Sequence, residues 1–174
     1  MKRSFASLSP QEALHVVIFI EERNAELYHR FAEMFGEFHD CDSSEIAGVF
    51  WEMAAEEKHH SSRLQAKYME RFGTFSCSLT EEDLVEFIEV PRLEEVDLFA
   101  TPDAPNRVSA TDRALQVALN AERSAQLYYA SLADKTGPGA LRQLYRELAD
   151  MEGGHVAAIE QRMSTHPARG AGQK

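Results

Sequence analysis

Glu57 and His60 stand three residues apart, and so do Glu152 and His155. On a helix, residues three apart share a face, so each pair would aim a carboxylate and an imidazole at one point. Those are donors for a divalent cation, or partners in proton transfer. The neighbours say whether that point is dry. Ile46, Phe50, Met53, Glu57, His60 and Leu64 form one stripe spaced by threes and fours, and Leu141, Tyr145, Leu148, Glu152, His155 and Ile159 form another. Each polar pair sits mid-stripe among apolar residues, on the kind of face a helix buries. Glu56 and His59 have the same spacing, but their stripe carries Glu52 and Arg63 and reads as wetter.

Two further carboxylates complete the pattern. Glu122 lies on the stripe Leu115, Ala118, Ala125, Tyr129 and Leu132. Near the N-terminus the choice falls between neighbours. Glu21 shares a stripe with Leu14, Val17, Tyr28, Phe31 and Phe35, and Glu22 shares one with His15, Ile18, Ala25, His29 and Ala32. Periodicity alone favours Glu21. An internal repeat favours Glu22: the eight residues from Glu22 to His29 line up with Glu122 to Tyr129 at an offset of 100, while Glu57 and His60 line up with Glu152 and His155 at an offset of 95. Following the repeat, the expected ligands are Glu22, Glu57, His60, Glu122, Glu152 and His155. Four ionised carboxylates in a dry core would repel, each with a desolvation cost on the order of several kcal/mol. They could take up protons, or two divalent cations could balance four negative charges. One Glu from each of two helices and a Glu-x-x-His from each of two others is the donor set of di-iron and di-manganese carboxylate bundles. A plain bundle with buried, hydrogen-bonded Glu–His pairs is the alternative.

The elements that must position these residues are long helices. Helical periodicity runs over 10–35, 44–72, 110–135 and 138–163. Ser9-Pro10-Gln11-Glu12 opens the first with a capping box and a proline at the first helical position. Gly73 and Gly137 read as stops. Short links make two antiparallel hairpins. The connection over 73–107, with a short helix expected where Thr80 caps it, is long enough to cross a bundle. The expected fold is all-α, a ferritin-like four-helix bundle over 10–164, with an N-terminal segment over 1–9 and a flexible tail over 165–174.

Composition agrees and excludes some classes. The chain has 174 residues, 44% hydrophobic and 27% charged, as in one globular domain. A net charge of −11 argues against nucleic acid as a partner, since phosphate binding needs the opposite sign. No apolar run approaches the roughly 20 residues a membrane helix needs, and no signal peptide is visible. Two cysteines without a Cys-x-x-Cys spacing exclude a four-thiolate iron or zinc site and a disulfide scaffold. A cytoplasmic location is expected.

With those residues in place, the chain resembles the ferritin-like superfamily and, within it, the rubrerythrin family. Met53 to His60 looks like that family's second-helix motif, and Glu22, Glu122, Glu152 and His155 match the rest. The resemblance covers roughly residues 10–164. It implies a non-haem di-iron centre, with manganese or zinc able to replace iron, that reduces hydrogen peroxide or dioxygen as a peroxidase or ferroxidase-type oxidoreductase. With no four-cysteine rubredoxin site in this sequence, the chain looks closer to the short, rubredoxin-free members such as those called erythrins or sulerythrin. A separate electron donor, a rubredoxin-like protein or a reductase, is then implied, and a homodimer. The family's further Glu, three residues after the third-helix Glu, is replaced by Ala125. Glu26 and Gln126 are candidates to substitute for it, and His29 for an extra ligand. Tyr129, seven residues after Glu122, is the candidate to hydrogen-bond a ligand or supply an electron. Gly153 and Gly154 inside the fourth helix suggest close approach of another group. The alternatives are an iron storage or delivery protein and a non-catalytic helical binding module.

Overall fold

The computed structural model describes residues 8–38, 41–74, 79, 83 and 110–165. Among them are four helices and no strand: α1 (Pro10–Gly36), α2 (Cys41–Phe72), α3 (Ala110–Lys135) and α4 (Ala140–Thr165). The fold class is all-α, with the helix complement of a four-helix bundle. The chain divides into two compact units, Met1–Val90 and Pro91–Lys174, one built on α1 and α2 and the other on α3 and α4. The expected helix at Thr80, the crossover apart from Leu79 and Asp83, and the tail beyond Thr165 lie outside the described residues.

The first unit begins where local chemistry favours it. The Ser9 hydroxyl accepts from the Glu12 amide at 3.2 Å, and the Glu12 carboxylate accepts from the Ser9 amide at 2.8 Å. Both otherwise orphaned donors are thereby satisfied, with Pro10 at the first helical position. Contacts along the hairpin run in opposite senses on its two arms. Tyr28 and Phe35 each stack on Phe50, with ring centroids 6.1 Å apart in both cases, and Gln11 donates to the Tyr68 hydroxyl at 2.9 Å. Phe31 meets Phe50 edge-on at 5.1 Å. The helices are therefore antiparallel, and Phe50 is the hub near their turn. Trp51, beside Phe50 in sequence, is 46% exposed and meets the His29 ring edge-on at 4.6 Å. Helix α2 ends at Gly73, whose φ of +80° is left-handed and whose amide donates to Met69 O at 3.0 Å.

The second unit repeats the plan. Arg142 Nε donates to Thr136 O at 2.5 Å, tying the start of α4 to the end of α3. Helix α3 ends at Lys135, before Gly137 as expected, and the positive-φ backbone falls at Gly139, φ +148°, just before α4. Leu115, Ala118, Tyr129, Tyr145, Leu148 and Ile159 are buried, on the stripes that periodicity singled out.

Candidate metal clusters

Each unit brings two carboxylates and one imidazole together. In the first, α1 supplies Glu21 and α2 supplies Glu57 and His60. His60 Nδ1 lies 3.2 Å from Glu21 Oε2 and 3.9 Å from Glu57 Oε2. In the second, α3 supplies Glu122 and α4 supplies Glu152 and His155. His155 Nδ1 lies 3.4 Å from Glu122 Oε2 and 3.2 Å from Glu152 Oε2. Within each trio the candidate ligand atoms lie within 4.8 Å of one another. All four carboxylates are 0% exposed, and His60 is buried. His155 is partly buried, the groups lie at metal-binding distance, and in both the same ring nitrogen faces the carboxylates.

The structure corrects one expected ligand. Glu22 is not in the first cluster. It is exposed, accepting from Gln65 Nε2 at 2.6 Å and from the Ser61 hydroxyl at 3.4 Å. The buried pattern repeats at an offset of 101, not 100. Leu14 and Leu115, Val17 and Ala118, Glu21 and Glu122, Tyr28 and Tyr129, and Phe31 and Leu132 are buried pairs. At an offset of 100, Leu27, 1% exposed, would be matched with Leu127, 71% exposed. Helical periodicity around Glu21 carried the right signal.

Glu26 is not in a cluster either. It is exposed and paired with Arg23 at 3.0 Å and Arg30 at 3.2 Å. His29 is exposed, with Glu33 at 3.6 Å. Gln126 lies across α4, its Nε2 2.7 Å from where a Gly153 Cβ would stand, so the close approach expected at that glycine comes from the preceding helix of the same hairpin. Nothing lies within 4 Å of the corresponding position at Gly154. Tyr129 is fully buried on the Glu122 face of α3. Asn24, one turn after Glu21, is 1% exposed and was not singled out by the sequence.

Electrostatics differ from those of a neutral core. Burial by itself would lower the His60 pKa, but hydrogen bonds and charge from Glu21 and Glu57 outweigh it and raise the pKa to about 9. Even with His60 protonated, one positive charge faces two carboxylates. The donor set of two carboxylate oxygens and one imidazole nitrogen could hold a divalent metal cation. Elsewhere, burial lowers the His15 pKa against the opposing charge of Glu22. Burial, with Tyr145 adding to it, pushes the Tyr128 phenol far above its usual range.

Comparison with protein-family models, with curated proteins and with solved structures gave no match. No helix among the described residues is long and apolar enough to cross a membrane.

Proposed function

We propose that each cluster binds one divalent cation, and that the chain is a rubrerythrin-like non-haem di-iron oxidoreductase acting on peroxide or dioxygen. The observation that carries this reading is the duplicated grouping of two buried carboxylates with one imidazole, His60 buried and His155 partly buried. A single such trio could be an isolated polar defect in a core. Two with the same donor types, the same ring nitrogen turned inward and the same helix spacing are a common solution to one chemical need. Glu21, Glu57 and His60 would hold one ion, and Glu122, Glu152 and His155 the other. Four carboxylates and two neutral imidazoles then balance two divalent charges.

A bound iron pair supplies two one-electron couples for reducing an oxygen substrate. The residues of this chain do the rest. Burial of all four carboxylates keeps bulk water from competing for the donors and strengthens their hold on charge. His60 must surrender its Nδ1 proton before it can ligate. Tyr129, buried two turns beyond Glu122, is proposed as the phenol that hydrogen-bonds toward that carboxylate. A separate protein or small reductant would return electrons.

Metal analysis and the near-ultraviolet spectrum of aerobically purified protein test the proposal. About two irons per chain, with absorption that bleaches on reduction and is lost in Glu21→Ala/Glu122→Ala/Glu152→Ala, support it. Retention of that absorption in the triple variant would refute the ligand set. Repeated peroxide consumption at constant iron content supports the enzyme, whereas accumulation of many irons per chain would redirect the reading to storage.

A further inference from the structure

Asn24 has a buried side-chain amide whose Nδ2 finds no hydrogen-bond partner. The residue is 1% exposed. A donor taken from water and given nothing in return destabilises the folded chain, and leucine, of nearly the same shape, would avoid that cost. Asn24 lies three residues after Glu21, so it shares the buried face of α1 with that carboxylate, one turn toward the C-terminus. The amide nitrogen donates and cannot ligate a cation. A donor kept dry beside a cluster of acceptors fits an additional negative group that arrives with the ion.

Resting on the metal reading above, we propose that Asn24 is a positioning residue that donates its amide N–H to a small oxygen-donor anion bound alongside Glu21, Glu57 and His60. Hydrogen bonding from Nδ2 fixes where that anion sits and discriminates against ligands without a lone pair directed at α1. The counterpart position in the second unit is Ala125, which carries no such donor. The preference therefore belongs to the first cluster, and the two clusters differ in their affinity for the anion.

The test uses the full chain, Co²⁺ as the metal because its visible bands report its ligands, and formate as the anion. Three forms are compared: the parent, Asn24→Leu and Asn24→Gln. Without metal, Asn24→Leu is expected to melt at or above the parent, because it removes an unsatisfied donor. It is expected to take up Co²⁺ in the parent's stoichiometry. Formate binding to the Co²⁺-loaded protein is expected to weaken by at least about tenfold in Asn24→Leu, with Asn24→Gln in between. Formate affinity unchanged in Asn24→Leu, or no formate binding by the parent, overturns the proposal. So does a metal-free Asn24→Leu that melts well below the parent or does not fold, since the amide is then structural. Normal Co²⁺ uptake with unchanged formate affinity defeats this inference alone. A parent that takes up no Co²⁺ defeats the metal reading and this inference together.

Discussion

One step along a helix turns a side chain by about 100°, enough to carry a carboxylate from core to solvent. Glu21 and Glu22 are separated by that step, and only Glu21 faces His60. Glu21→Gln is therefore expected to weaken metal binding at the first cluster by at least about 100-fold, whereas Glu22→Gln changes it by no more than about twofold. Metal titration of the two variants checks this. Glu22→Gln should cost about 1 kcal/mol or less, from altered hydrogen bonds to Ser61 and Gln65, read by denaturant unfolding. The sequence pointed both ways here for a physical reason. Identical letters at an offset of 100 include exposed positions such as Leu127, which is not packed in the core. The buried positions repeat one residue later, and only their apolar periodicity reports it. His60 adds a pH dependence. Its folded pKa, raised to about 9, lies above the usual 6.5, so its contribution to the stability of the metal-free protein is complete below 6.5 and is lost as pH rises through 9. Metal binding runs the other way, because the ion displaces that proton. Affinity at the first cluster should rise by about tenfold per pH unit between pH 7 and 9 and level off above. Titrations at pH 7, 8, 9 and 10 would show it, and a flat profile would mean His60 does not ligate.

The helices were largely legible because each carries its own start, stripe and stop. The span of α3 coincides with its sequence expectation, and α1 differs by one residue at its end. Helix α2 begins three residues earlier than expected, at Cys41, and α4 begins at Ala140 rather than near Pro138, because turn geometry rather than apolar spacing sets those boundaries. Glycines inside α4 divide by what surrounds them. Gly154 faces open space, so Gly154→Ala relieves backbone entropy with nothing to displace. A gain of up to about 1 kcal/mol is expected, raising the melting temperature by roughly 2–4 °C. Gly153→Ala must first push aside the Gln126 amide, and it should gain less. If thermal unfolding shows Gly153→Ala to be the more stabilising of the two, Gln126 does not rest where the structure has it.

On the scale of the whole chain, a net charge of −11 and four fully buried carboxylates describe a molecule that is short of positive charge. Folding without metal must bury that charge against two imidazoles. Any cation that binds the folded state, and not the unfolded chain, stabilises it by mass action, about 2.7 kcal/mol per site when free metal is 100 times its dissociation constant. Chelation should therefore lower the melting temperature, and Fe²⁺, Mn²⁺, Zn²⁺ or Co²⁺ should restore it in proportion to the logarithm of its concentration. The response should be site-specific rather than a general effect of screening the acidic surface. Monovalent salt at equal ionic strength reduces surface repulsion but offers nothing to the buried trios, so it should recover only part of the loss. In Glu122→Gln/Glu152→Gln the metal-dependent part should shrink while the salt-dependent part remains. The paired substitutions also remove buried charge, so the metal-free variant is expected to be at least as stable as the metal-free parent. A melting temperature indifferent to chelator, and to both substitutions, would show that the carboxylates are accommodated without ions and that the clusters are structural.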